Sequence, residues 1–281
     1  MTLQKQQSGS SPVRVVPTFA ARVRRMARWL GPALLLAALI AVWQGAVVLF
    51  AVPAWKLPAP SAIAAELVAS RALYLKHTWV TLMEVMLGFG AALATGVLLA
   101  TLIAYYRTLQ RAVYPLVIAS QTIPIIVIAP LLLIWVGYGI APKIIVVILI
   151  AFFPITVNTV DGLRSVDTDM VNMMRTLGAS RWQIFTKVQV PTAMPFLFSG
   201  TKIAVTFSVI GAVIGEWVGA SAGLGYLTRI SVPLFLTARS FGAVLLLAAM
   251  GIILFVSVAL LERLLLPWYH TEQRQRALGQ G

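Results

Sequence analysis

No cysteine occurs among the 281 residues, and there are two histidines, His77 and His270. The first absence excludes a disulfide framework and any thiolate metal site. The second leaves too few imidazoles for a histidine metal cluster. Acidic residues number eight, and charged residues of both signs make up 11% of the chain. A soluble domain has about a quarter. With so little charge, this polypeptide cannot clothe a water-facing surface. Reactive constellations are missing too. No Ser-His-acid grouping is evident, and no phosphate loop of the GxxxxGK type is present, so the chain is not expected to hydrolyse ATP. The glycine-rich GASAGLG (Gly219–Gly225) lacks GxGxxG spacing and a βαβ setting.

What the chain has instead is apolar length. Hydrophobic residues make up 60% of it. A membrane-spanning helix needs about 20 mainly apolar residues. Six runs qualify, over residues 30–52, 78–104, 112–136, 142–163, 192–216 and 240–265. The expected fold class is therefore all-α, a polytopic membrane protein with six transmembrane helices. The third run contains Pro115, Pro124 and Pro130, and the fourth contains Pro154. Proline inside a span orphans a carbonyl, which protein or a wet cavity must satisfy. These helices are expected to face a bundle interior. The organisation reads as a basic tail (1–29), a first span (30–52), an outer connection (53–73), a five-span core (74–265) and a C-terminal tail (266–281). The first apolar run is longer than a signal-peptide core and reads as a retained anchor appended to the core. Residues 1–20, rich in Ser, Gln, Pro and Val, read as a tail without fixed structure. Leu57–Leu67 reads as an extended Pro-rich piece followed by a short helix outside the membrane.

The net charge of +14 would point to nucleic acid in a soluble protein. In a membrane protein it points to orientation. With the N-terminus in the cytoplasm, 15 Lys and Arg fall in inner segments, from Lys5 to Arg276, against 6 in outer ones. The outer six are Lys56, Arg71, Lys76, Lys143, Arg229 and Arg239; Lys202 lies within the fifth span. Both termini are therefore expected inside, with no nucleic-acid partner.

One polar stretch interrupts the apolar core on the inner side. In GASRWQIFTKVQVPTAMP (Gly178–Pro195), local chemistry is well specified. Asp167 and Thr168 can cap a helix through Met170–Leu177. Gly178 stands where a helix end needs a left-handed residue. Ser180 and Gln183 form a capping-box pattern. Trp182, Phe185 and Val188 recur at spacing three, giving a second short helix one apolar face, with Arg181 and Lys187 off it. Pro191 is placed to open the next helix. The pattern fits a helix resting on lipid headgroups or a docking knob for a cytoplasmic partner, and by itself does not choose.

Other residues carry paired readings. Gly211, Gly215, Gly219 and Gly223 repeat every four residues, which permits close helix contact at a gate, a subunit seam or within the chain. Gly88, Ala92, Gly96 and Ala100 repeat the spacing in the second span, where packing is the better account. Glu216 either shapes an outer gate or is an interfacial carboxylate held by Arg229 or Arg239. Glu84, deep in the second span, needs a partner such as Lys202 or a backbone group. Gln121, Thr122, Trp135, Asn158, Thr159 and Ser208 either line a polar path or join helices. His77 and His270 read as interfacial, and Trp55, Trp79 and Trp268 as interfacial belts.

Several motifs in order carry a family resemblance over residues 74–265. The loop resembles the EAA motif of binding-protein-dependent ABC-transporter permeases: Glu-Ala-Ala, three residues, Gly, nine residues, then Ile-x-Leu-Pro. Gly178 is followed by nine residues and Val188-Gln189-Val190-Pro191. The opening departs from it, with Asn172, Met173 and Met174 replacing Glu-Ala-Ala. HTWVTLMEVMLGFG (His77–Gly90), QTIPIIVIAPLLLIWVGYG (Gln121–Gly139) and AFFPITVNTVDGL (Ala151–Leu163) resemble the branch importing sulfonates, taurine, nitrate, thiamine-type pyrimidines and riboflavin. GEWVGASAGLGYL (Gly215–Leu227) and LLERLLLPWYH (Leu260–His270) are most similar to its vitamin and vitamin-precursor members.

The resemblance implies a type I ABC importer permease in the cytoplasmic membrane. Its implied partners are cytoplasmic ATPases, an extracytoplasmic solute-binding protein and a second permease copy, forming a homodimer. ATP and Mg would belong to the ATPase, with no cofactor or metal in this chain. It assigns ATPase coupling to the 164–190 loop, with Arg175, Gly178, Ala179, Ser180, Arg181, Trp182, Phe185 and Pro191 as the residues engaged. Gln121, Trp135, Asn158, Ser208, Gly211, Gly215 and Glu216 are the candidates for a path or gate. The expected solute is a heterocyclic vitamin or precursor, riboflavin or a thiamine-type pyrimidine; an alkanesulfonate, taurine or nitrate is the alternative. A secondary transporter and an intramembrane enzyme are the rivals from other classes.

Overall fold

The computed structural model describes residues 19–269, with side chains from Leu30 onward. The readings made for residues 1–18, His270, Arg274 and Arg276, and for the side chains of Arg22–Arg28, fall outside that description.

The described residues form helices and no strand. Long apolar α1 (Phe19–Leu49) leads to short α2 (Pro60–Ala69) and then to α3 (Arg71–Tyr105). At about 1.5 Å per residue, α3 is roughly 50 Å long, well beyond a hydrocarbon core of about 30 Å. The predicted third span is broken. It becomes α4 (Arg107–Ala112), α5 (Tyr114–Ser120) and α6 (Ile125–Val136), with a 98° bend between the α4–α5 piece and α6. The break has a local cause. Pro124 forces Ile123 out of helical backbone and is itself extended at φ −71°, ψ 104°.

Side-chain register shows that this bent segment still crosses. Glu84 meets Lys143, and Cβ atoms on Gly88 and Gly96 would touch Val147 and Ile155. The partners advance together, so α3 and α7 (Ala141–Arg164) run parallel. The chain must therefore return across the bundle between Arg107 and Ile140. By the same test α10 (Val190–Gly219) is antiparallel to α7: Gly200 faces Pro154, Gly211 faces Val147, and Gly215 faces Lys143. Helix α12 (Thr237–Leu265) begins beside Tyr74, whose hydroxyl donates to the Arg239 carbonyl, and descends to Glu262 beside Lys202. Five crossings thus make the core, and α1 adds a sixth.

Helix α7 lies at the centre, between α3 and α10. Small residues make that possible. Ala92, Ala100, Ala151 and Ala204 are all fully buried in these seams. The stripe Gly88–Ala92–Gly96–Ala100 faces α7, as packing requires. Gly211 and Gly215 also pack against α7, and Gly219 against Leu133 of α6. Their contacts are intramolecular. Gly223 lies past the helix end, at φ +120°.

Helix α1 is attached lightly. Val47 is buried, Trp43 meets Phe241 at 5.9 Å, and Gln44 accepts the Ser61 amide at 3.1 Å. Leu34, Leu35, Leu36 and Leu39 are exposed. Trp55, Trp79 and Trp268 are about half exposed or more.

Candidate functional site

Two polar assemblies interrupt the apolar bundle, one at each end. At the end where α3 and α7 finish, α8 (Thr168–Thr176) and α9 (Arg181–Ile184) connect α7 to α10. Their caps form as the sequence dictates. Asp167 accepts the Asp169 amide at 2.8 Å. Gly178 adopts φ +80°, and the Ala179 amide reaches the Met174 carbonyl at 3.0 Å. The capping box is complete: the Gln183 amide donates to Ser180 Oγ at 3.2 Å, and the Ser180 amide to Gln183 Oε1 at 2.8 Å.

Pro191 stands in the first turn of α10, as the sequence reading has it, but α10 is not a separate helix. Helix runs without interruption from Arg181 to Gly219. Residues Phe185–Gln189 form a π turn, in which the Val190 amide reaches back five residues to the Phe185 carbonyl. This wider turn carries the helix through a proline that has no amide to donate. The apolar face also divides. Ile184, Phe185 and Val188 are buried, Phe185 against Tyr105 at 6.0 Å, while Trp182 stacks on Phe185 with 62% of its surface exposed.

Outward from this anchored side, Met170, Met173, Leu177 and Trp182 form an apolar surface, each at least 50% exposed. The first three lie within the stretch assigned to coupling but were not singled out from the sequence. Their spacing of three and four on a helix with no apolar partner was the available signal. Arg175, Arg181, Gly178, Ser180 and Pro191 are exposed around them, and Ala179 is half-buried.

At the opposite end, α11 (Leu224–Ser231) is capped by other helices. The Gly223 amide donates to His77 Nδ1 at 2.9 Å, and the Leu224 amide to Thr81 Oγ1 at 2.8 Å. The Gly225 and Tyr226 amides donate to Glu216 Oε2 at 2.5 and 3.1 Å. The Thr81 hydroxyl donates to Glu216 Oε1 at 2.6 Å. All four amides that a helix start leaves unpaired are satisfied, and a carboxylate sits where the helix dipole favours it. The loop GASAGLG is thus a cradle for the chain's own carboxylate. A Cβ on Gly223 would fall 2.1 Å from the Glu216 carboxyl carbon.

These contacts correct two expectations. Glu216 is held by Thr81 and backbone amides, not by Arg229 or Arg239. Arg229 donates to the Trp217 carbonyl at 2.8 Å, and Arg239 pairs with Glu66 at 2.8 Å. Glu84 pairs with Lys143 at 2.6 Å, while Lys202 pairs with Glu262 at 2.8 Å. His77, near the outer end of α3, is buried by neighbouring helices. The second Glu84 oxygen is buried without a hydrogen-bond donor, beside Glu216.

The path candidates do not converge on one site. Gln121 and Trp135 are exposed on the bent segment. Asn158 donates to the Pro154 carbonyl at 2.8 Å, and Ser208 to the Ala204 carbonyl at 2.8 Å, each within its own helix. Gly211, Gly215 and Glu216 are buried in seams. A cavity of about 780 Å³ opens nearby instead, lined by Val80, Glu84, Tyr138, Lys143, Ala220 and Arg229 among others.

Residues 92–270 match the family described as "Binding-protein-dependent transport system inner membrane component". The chain belongs to that family. This permease is 38% identical over 247 residues to the formylaminopyrimidine transport permease protein ThiX of Halalkalibacterium halodurans, covering 88% of this chain and 98% of the relative. To the riboflavin transport system permease protein RibX of Chloroflexus aurantiacus it is 38% identical over 253 residues, covering 88% and 94%. The taurine transport system permease protein TauC of Escherichia coli is 25% identical over 241 residues, covering 83% and 88%. Among solved structures, an inward-facing MetNI methionine ABC transporter matches with TM-score 0.62 at 21% identity, covering 69% of this chain and 97% of that one. The permease therefore has the type I ABC importer fold and is a multi-pass inner-membrane subunit of an importer.

Proposed function

We propose that the 164–190 loop seats a cytoplasmic ATPase and transmits its movement to the spans. The observation that carries this is the unbroken helix from Arg181 to Gly219. A force applied to Trp182 reaches the Glu216 cradle along one rod. The capped turn at Asp167, Gly178 and Ser180 stiffens the handle, and Met170, Met173, Leu177 and Trp182 offer it an apolar grip. ATP and Mg belong to the ATPase. A second copy of the permease completes the path, and a solute-binding protein delivers to the end that carries α2 and α11. Both termini lie in the cytoplasm. ATP binding shifts the spans between inward-open and outward-open populations.

The solute proposed is a neutral or zwitterionic heterocycle, riboflavin or a thiamine-type pyrimidine. The names of the 38% relatives support that class. The cavity of about 780 Å³ has room for such a ring system; of its two cations Lys143 pairs with Glu84, while Arg229 donates to a backbone carbonyl and keeps its charge.

Gly178→Asp or Ala179→Asp should abolish assembly with the ATPase while membrane insertion is preserved. Co-purification of the variant with undiminished ATPase would refute the docking role. Proteoliposomes holding the permease, its ATPase and its binding protein should accumulate labelled riboflavin or aminopyrimidine only with ATP inside. Uptake driven by a proton gradient with the permease alone would favour a secondary transporter. Uptake of taurine in preference to heterocycles would overturn the solute class.

A further inference from the structure

Arginines gather where the coupling loop meets the foot of α3. Arg107, Arg175 and Arg181 line one cavity of about 580 Å³, together with Tyr105, Tyr106 and Gln189. Arg107 and Arg175 continue into an adjoining cavity with Arg164, and Arg107 into a third with Arg111. No Asp or Glu lines any of the three. The three ion pairs among the described residues all lie elsewhere. Asp167 and Asp169 flank the lining residue Thr168 of the adjoining cavity, but neither pairs with an arginine in the three ion pairs, and the planar fork of guanidinium fits phosphate oxygens two at a time.

We propose that this cavity holds the phosphate of an anionic membrane lipid, clamped between the α3–α4 elbow and the coupling loop. Depth selects a lipid. The apolar α3 ends at Tyr105, and the Tyr105 and Tyr106 rings lie 5.1 Å apart with 40% and 52% of their surfaces exposed. Amphipathic aromatics settle at headgroup level. Arg107 follows them directly, so the guanidinium groups begin where lipid phosphates lie. The arginines also come from two separate elements, Arg107 and Arg111 from α4, Arg175 and Arg181 from the loop. A bound phosphate therefore ties the loop to a span. This site depends neither on the solute nor on the identity of the ATPase.

The test uses the full chain with its ATPase in nanodiscs of phosphatidylcholine with or without phosphatidylglycerol, followed by native mass spectrometry of retained lipid. Phosphatidylglycerol should be retained selectively. Arg107→Gln should weaken its retention about fivefold, the factor typical of one basic side chain at an anionic surface. ATPase stoichiometry should be unchanged, which also reports that the variant is folded. Arg263→Gln, outside these cavities, should have no effect. Equal retention of the two lipids, or an Arg263 effect as large as that of Arg107, would overturn the site. So would loss of the ATPase with lipid retention intact, which would assign the arginines to an acidic groove on the ATPase. Displacement of phosphatidylglycerol by inorganic phosphate at comparable concentration would replace the lipid by a small anion.

Discussion

Lys143, in the first turn of α7, places its ammonium 2.6 Å from Glu84 of α3, and the carboxylate is 1% exposed. The pair joins two parallel helices near the end where solute is proposed to enter. Removing one member leaves the other charge buried, at a cost of about 3–5 kcal/mol. Lys143→Met should therefore lower the thermal midpoint of the purified permease sharply. Lys143→Met with Glu84→Leu should recover most of the loss. A single variant as stable as the parent would show that the pair holds nothing together.

The α11 cap makes a separate prediction. Glu216→Ala strands the amides of Gly225 and Tyr226, each costing about 1–3 kcal/mol when buried unpaired. Hydrogen exchange over residues 223–227 should accelerate, while the remote loop at 168–184 keeps its protection. Glu216→Gln, which retains one acceptor oxygen, should be milder. Protection at Gly225 unaltered by the alanine change would contradict the cap.

Helix spacing can be tested with alanine at glycines. A Cβ on Gly200 would fall 2.5 Å from the Pro154 carbonyl oxygen, a backbone atom that cannot swing aside. Gly200→Ala should force α10 away from α7 and destabilise by about 1–3 kcal/mol, the usual cost of overpacking. Gly90→Ala, with nothing within 4 Å, should be neutral or slightly stabilising. Similar melting curves for the two variants would deny that the seam is tight.

The capping box can be weighed alone. Ser180→Ala removes the acceptor for the Gln183 amide and should cost about 1 kcal/mol locally. Its effect should appear as weakened coupling, with less uptake per ATP hydrolysed, and little change in global stability. A variant with unimpaired coupling would remove the capped turn from the mechanism.

The absence of cysteine makes orientation easy to measure. Single cysteines introduced at Ser180 and at Lys56 lie at opposite ends of the bundle. The first should react with a membrane-impermeant maleimide only in inverted vesicles, the second only in intact cells. The reverse pattern would invert the topology and remove the loop from any cytoplasmic ATPase.

The residues that sequence alone could place are those governed by near neighbours. Apolar run length gives the spans, and the Ser180–Gln183 and Asp167–Asp169 caps act over three and two positions. The bend at Gln121–Pro124 was legible as a proline break, but its 98° angle and its return across the bundle were not. Those follow from α3 and α7 being parallel, which is a fact of packing. The continuous helix through Pro191 was hidden as well, because a π turn leaves no signature that capping rules detect. Partners of buried charges were hidden most deeply. Glu84 finds Lys143 across 59 residues, and Glu216 finds Thr81 across 135. A carboxylate in an apolar helix announces that it needs a partner, since burial without one is costly. Which partner it meets depends on helix register, and register is set only when small-residue seams from distant segments close on one another.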